Sequence, residues 1–144
     1  GIAMTNAGRV SGESILYFAV FWTIWSKEAS YSTRFDTTDL SAKMITLLNC
    51  FAVLFASLSV SSSIETEGAN RIMIMSAFCS MLHCVLMTRV FSWYKSAEPN
   101  TLDAHVQTYA LFNSIMNLVE SATWIFGMIF APQKYRWVVF TVGV

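Results

Sequence analysis

The sequence predicts an all-α, polytopic transmembrane helix bundle with four spans and a partial fifth, and three observations carry that expectation. Hydrophobic residues make up 55 % of the chain and charged residues 12 %, with a mean hydropathy of +0.51, a composition outside the range of ordinary soluble domains. The apolar residues fall in four long, nearly unbroken runs and one short one, which in 144 residues leaves no room for a soluble core to hide them. Polar and aromatic residues are concentrated between the runs, where a chain that leaves a bilayer must turn and return.

Taken in order, the runs predict helices over about 12–33, 44–63, 71–95, 104–131 and 135–144, all in one domain. In the first, only Ile15 to Trp25 is continuously apolar. A span needs about 20 residues at about 1.5 Å each, so the helix must recruit Ser26 to Tyr31, and with it Lys27 and Glu28. Two readings follow. Either Glu13, Lys27 and Glu28 sit at the interfaces or snorkel to them, or Glu13, Tyr17, Ile24 and Glu28 form a stripe facing neighbouring helices. The segment from Trp22 to Asp39 is expected to form an interfacial corner: the rings of Trp22, Trp25 and Tyr31 suit the headgroup layer, and Arg34 can lay its stem along lipid. Asp36, Thr37, Thr38 and Asp39 precede the second run and are the residue types that cap a helix start and favour its positive dipole end.

The second helix carries Asn49 and then the small residues Ala52, Ala56, Ser57, Ser59 and Ser61, a seam that lets helix backbones approach closely in lipid. The third holds His83 near its middle and Arg89 near its end, the latter close enough to the interface to snorkel. Pro99-Asn100 breaks the chain, Thr101 is placed to cap the fourth helix, and Pro132 to end it. Within the fourth, Asn113, Asn117 and Glu120 follow helical spacing and Trp124 extends the face. Such a stripe must meet protein, water or a ligand, because in lipid its amides and carboxylate have no partners.

Folded back around Pro99-Asn100, the third and fourth helices bring His83 to about the depth of residue 116, roughly one turn from Glu120. His83, Asn113, Asn117 and Glu120 are therefore the expected polar core. It serves as interhelical glue or, if His83 and Glu120 exchange protons, as a titrating pair. No cofactor follows from these residues. His83, Asn113 or Glu120 can each supply one axial ligand to a pigment, whereas His83 and His105 differ in depth by on the order of 15 Å and cannot share a haem iron.

Other classes find little support. Formal net charge is zero, with nine basic residues scattered along the chain, so nucleic acid is not an expected partner. Phosphate-binding glycine loops, nucleophile elbows and metalloprotease helices are missing, and no catalytic residue or metal ligand set is expected. Cys50, Cys79 and Cys84 lie in apolar runs without Cys-x-x-Cys spacing and read as reduced, small hydrophobes. Basic residues on the two sides are balanced, so the positive-inside rule assigns no orientation.

The pattern Trp22, Trp25, Tyr31, Arg34-Phe35-Asp36-Thr37 and Asp39, followed by an apolar helix, resembles the signature corner of the low temperature requirement A (LtrA) family of bacterial-type polytopic membrane proteins. The resemblance continues collinearly to about residue 144 through general hydropathy. Members of that family are longer and carry a Glu-Leu-Phe-Phe-Asp type motif on an earlier helix. That motif is absent here, so the resemblance implies an internal portion of the family. It implies a helical membrane protein and hands over no reaction. Together with the small size of the bundle, it leads to the expectation of a non-catalytic accessory or structural subunit in a larger membrane assembly, with the bilayer and other membrane protein chains as partners. The alternatives are part of a proton-linked transporter or channel, and a pigment- or haem-binding subunit.

Overall fold

The computed structural model describes residues 12–35, 38–58, 60, 69–95 and 98–144. Among them are five α-helices and no strand: α1 (Gly12–Arg34), α2 (Leu40–Ser57), α3 (Ala69–Trp93), α4 (Leu102–Phe130) and, after a 3-10 turn at Gln133–Tyr135, the short α5 (Arg136–Gly143). α2 and α3 are long and apolar enough to cross a membrane. α1 and α4 are long enough, about 34 and 43 Å at 1.5 Å per residue, but the polar residues in their middles keep them from the same class.

Several helix ends differ from expectation for local reasons. α2 starts at Leu40, four residues earlier than the apolar run suggests, because the extended backbone of Asp39 (φ −61°, ψ 134°) already places it at the N-cap. Its side chain makes no capping hydrogen bond there; the carboxylate turns to Ser41 and Arg89 instead. α2 ends at Ser57, with Ser59, Ser61, Asp36 and Thr37 outside the described residues. Thr101 does cap α4, accepting from the Ala104 N–H at 3.3 Å. In the turn before it Asn100 takes a left-handed φ of 63°, which Asn tolerates better than most side chains.

α3 is the centre of the bundle, in contact with α1, α2 and α4, while α5 closes against α4 and α1. The expected seam on α2 is present in Ala52 and Ala56, both buried, but α3 supplies more of the close approach. Ala69, Ser76, Ala77, Cys79 and Ser80 are all buried along it, and small residues let backbones come together where water exclusion between helices is not the driving force. The cysteines are free.

Two apolar clusters sit at opposite ends. One joins Tyr17, Val20 and Ile24 of α1, Ala52 and Ala56 of α2, Ala69 to Cys79 on α3, Trp124 of α4 and Phe140 of α5. The other joins Tyr31, Ala42, Leu86, Met87, Val90 and Ala110. The order of the two clusters reverses from each long helix to the next, as antiparallel packing requires. Between them every long helix carries its polar residues: Lys27 and Glu28, Asn49, Ser80 and His83, Asn117 and Glu120. The outside is the converse, with Phe18, Leu47, Phe51, Phe55, Phe78, Phe112, Ile115, Phe126 and Ile129 exposed.

The seam between α4 and α5 depends on two glycines. A Cβ on Gly127 would collide with the γ carbons of Val139 and stand 3.1 Å from its Cβ, and one on Gly143 would lie 2.7 Å from Trp124 Cζ2. Gly127→Ala is therefore expected to destabilise by about 1–3 kcal/mol through overpacking. Unfolding in detergent should show that loss, and Val139→Ala in the same chain should return most of it; an unaltered midpoint for Gly127→Ala would show that α5 is not seated as described.

Candidate functional site

The corner is smaller than its residue pattern suggests. Trp22 and Trp25 lie about 18 and 14 Å from the end of α1 and are 55 % and 59 % exposed. They form a ring ladder with Phe18 on the outer face, with Trp22 and Trp25 centroids 5.0 Å apart. They belong to the wall of α1 and not to the turn, because α1 continues as regular helix through Arg34. Tyr31 points inward, buried, with its ring 5.1 Å from Phe35. The Arg34 guanidinium stacks 4.9 Å from the Tyr109 ring, a cation–π contact that ties α1 to α4.

Asp39 makes the other tie. Arg89 donates to its carboxylate at 2.6 Å and to the Ser41 hydroxyl at 2.7 Å, and Ser41 donates to the same carboxylate at 2.7 Å. Arg89 also lies 5.1 Å from the Trp93 ring. The arginine expected to snorkel thus clasps the start of α2 to the end of α3. The hydrogen bonds from Ser41 and Arg89 hold the Asp39 carboxyl below its ordinary value of 3.8. A depressed folded value means that the clasp contributes fully above 3.8 and is lost as pH falls through the lower, folded value. Asp39→Asn is therefore expected to lower the thermal midpoint at pH 7 and to lower it less at pH 3; an equal loss at both would show that the carboxylate charge has no part in the clasp.

Deeper in the bundle, Lys27 and Glu28 pair with side chains of other helices. They turn inward, since neighbouring residues on a helix are separated by about 100° and can face two different neighbours. Lys27 Nζ forms an ion pair with Glu120 Oε2, and Ser80 donates to Glu120 Oε1 at 2.9 Å. That set joins α1, α3 and α4. Glu28 reaches α2, accepting from Thr46 at 2.5 Å and from Asn49 Nδ2 at 3.1 Å. Asn49 Nδ2 also lies 3.5 Å from His83 Nε2, and the Glu28 carboxylate is 3.7 Å from the same nitrogen.

Glu28 thereby decides the histidine's tautomer. A carboxylate only accepts, so the Asn49 amide must present its NH₂ group, and that group has two hydrogens: one for Glu28, one for His83 Nε2. The neutral ring then carries its hydrogen on Nδ1. Protonating Nε2 would set donor against donor at Asn49 and favour the nearby carboxylate of Glu28 instead.

The four residues expected as a polar core are gathered, but not as a pair. His83, Asn113, Asn117 and Glu120 line one cavity of about 150 Å³ together with Lys27, Ser30 and Tyr109. His83 and Glu120 make no hydrogen bond to each other: α1 stands beside both and takes one with Glu28 and the other with Lys27. Asn113 and Asn117 are not interhelical glue through their amide nitrogens, which donate to Tyr109 O at 2.8 Å and Asn113 O at 2.7 Å, one turn back in their own helix. His83 Nδ1 and Asn117 Oδ1 are buried without a hydrogen-bond partner. Trp124, placed on the same stripe by spacing, packs in the apolar cluster below.

Glu28 follows the stripe expected to face neighbouring helices, as do Tyr17 and Ile24, both buried, whereas the partners missed from sequence were Lys27, Asn49 and Ser80. Their common signal was a polar residue at matching depth in every long run. Among the described residues no three His, Cys, Asp or Glu side chains converge on a point. His83 is 1 % exposed, and its Nε2 lies against Asn49 and Glu28.

No curated protein and no solved structure matches the chain. The family model described as bacterial low temperature requirement A protein (LtrA) matches residues 2–144, a span that takes in the clasped corner and the whole polar layer. By that match the chain belongs to the LtrA family.

Proposed function

We propose that this chain is a non-catalytic, four-span membrane bundle that forms part of a proton-linked transporter, with α1 to α4 crossing the bilayer and α5 reaching only part of the way. Family membership, the apolar exterior and the two helices of spanning character support the membrane setting. The reading of α1 and α4 as spans rests on their polar residues being turned inward and paired, where lipid does not meet them.

The observation that carries the transport reading is the polar layer itself. Two ionic networks lie side by side at mid-height, between apolar clusters and next to a cavity. Charged side chains at such depth are expensive, and ion and proton paths are among the uses that retain them. His83 Nε2 stands between the Asn49 amide and the Glu28 carboxylate, so a proton gained there would exchange one partner for the other. Glu120, held by Lys27 and Ser80, is the second ionisable side chain of the layer.

Reconstitution in liposomes with an internal pH dye tests this. The wild type is expected to carry protons under a gradient, and Glu120→Gln and His83→Ala are each expected to lower the rate at least tenfold. Unchanged flux in both variants would remove the two residues from any transport role.

The accessory-subunit reading stands second, and a groove between α1 and α2 favours it. It measures about 480 Å³ and is lined by Phe21, Ile24, Trp25, Val53 and Leu54, with Glu28 and Asn49 at its floor. Pull-down in mild detergent distinguishes this reading, in which the chain is recovered with other membrane chains and liposomes holding it alone show no flux.

A further inference from the structure

The groove between α1 and α2 is apolar along its walls and negative at its floor. Phe21, Ile24 and Trp25 form one wall and Val53 and Leu54 the other, and the rest of the lining is Glu28, Thr46, Asn49 and Cys50. Among these residues Glu28 alone carries a formal charge. Its carboxylate accepts from Thr46 and Asn49, both neutral, and stands 3.7 Å from His83 Nε2, on a ring that is mostly uncharged at pH 7 even in water. Among the described residues no lysine or arginine pairs with it. Lys27, its neighbour in the chain, is taken by Glu120, and Lys43 lines a separate hollow beside Glu28 without forming an ion pair with it. Asn49 Oδ1 adds to the negative side, since it has no hydrogen-bond partner in a residue that is 4 % exposed. The hydroxyl hydrogen of Thr46 and the amide hydrogens of Asn49 already go to Glu28 and His83. The donors left in the lining are the Cys50 thiol and the Trp25 indole N–H, both uncharged.

In a bilayer, a lipid tail filling this groove brings nothing to the carboxylate, and a charge facing hydrocarbon is expensive. A metal ion would leave the apolar walls unused, and among the described residues no three His, Cys, Asp or Glu side chains converge to hold one. The groove measures about 480 Å³, within the range of drug-sized ligand sites. At the roughly 25 Å³ per non-hydrogen atom that benzene takes in a cavity of its own size, it holds about 20 such atoms. From these observations we infer that the groove between α1 and α2 is a binding site for a lipophilic organic cation, an amine or quaternary ammonium with a bulky apolar body. The charged head sits against Glu28, the body lies along Phe21, Ile24, Val53 and Leu54, and the Trp25 indole adds a cation–π contact. The inference rests on the membrane setting proposed above and not on proton flux. Another membrane chain is the competing occupant.

Equilibrium dialysis of the full chain in nanodiscs of zwitterionic lipid at pH 7, with empty discs subtracted, tests this. The probes are benzyltributylammonium, a cation of about the right size, tetramethylammonium, which has the charge without the body, and triphenylmethanol, which has a body without the charge. The wild type is expected to bind one benzyltributylammonium per chain, saturably, and neither of the others at the same concentration. Glu28→Gln keeps an acceptor for Thr46 and Asn49 and is expected to bind the cation about tenfold more weakly or worse, the effect of losing a charged partner. Trp25→Ala, at an exposed position, is expected to weaken binding about fivefold, so the proposal stays open to refutation if Glu28→Gln fails to fold. Full binding by both variants, equal saturable uptake of triphenylmethanol, or no uptake beyond empty discs would overturn it, as would recovery of the chain with a second membrane chain that blocks the probe. Cation binding with no proton flux in liposomes removes the transport reading and leaves this site, whereas flux with no binding does the reverse.

Discussion

Glu120→Leu alone is expected to destabilise the bundle by about 3–5 kcal/mol, because it leaves the Lys27 ammonium buried without its counter-charge. Lys27→Met alone should cost about as much for the reciprocal reason. The side chains are 23 % and 20 % exposed, so the pair is largely withdrawn from the surface. The double variant Lys27→Met/Glu120→Leu is expected to recover most of the loss, since exchanging a buried ion pair for well-packed apolar residues is often neutral or stabilising. Denaturation with increasing sodium dodecyl sulfate in mixed micelles measures all four chains, and the coupling energy follows from the cycle. Strictly additive single losses would show that the pair is not an interacting unit. The same double variant separates stability from function: it should fold and yet carry no protons. A folded double variant with wild-type flux would place the proton path elsewhere.

Trp124→Ala is the second large effect. Trp124 is buried, with its ring 5.3 Å from Phe140 in an edge-to-face arrangement, and Phe140 in turn meets Tyr17 at 5.7 Å. One side chain therefore joins α4 to α5 and, through Phe140, to α1. Truncating a buried Trp in a water-soluble core removes both transfer energy and packing, about 3–5 kcal/mol. In lipid the transfer part is absent, because the unfolded helices remain in an apolar medium, so the expected loss is about 3 kcal/mol. The loss should be confined to the end of the bundle that holds α5. Protease access near Gly143 should rise, while the clasp at Asp39 and Arg89 stays closed. Uniform loosening of both ends would contradict the separation of the two apolar clusters by the polar layer.

Much of this was legible before any coordinates, and the parts that were not share one cause. Helix existence and order follow from the length of the apolar runs and from Pro, Asn and Thr at their ends, and Thr101 shows a cap that its residue type and place were enough to indicate. The depth of each polar residue also follows, since a helix rises by a constant step; His83 and Glu120 do lie in one layer. What hydropathy leaves open is the rotation of each helix about its axis and which helices are neighbours. Trp22 and Trp25 look like interfacial anchors by composition, yet α1 runs on past them for two to three turns. Lys27 and Glu28 look like end-of-span charges by position, yet they turn inward because α3 and α4 stand on one side and α2 on another.

From the order of its residues alone, this chain is determined to be a string of apolar helices that turn back at polar corners and bring their few polar side chains to a common depth, because burial in an apolar medium and a fixed rise per residue are local properties. Only the packing around α3 decided who meets whom: Lys27 with Glu120, Glu28 with Asn49 and His83, Arg89 with Asp39. Each of those contacts depends on the azimuth of two helices at once, and where nearly every outer face is greasy, only the close fit of small residues such as Ala77, Ser80 and Gly127 selects it.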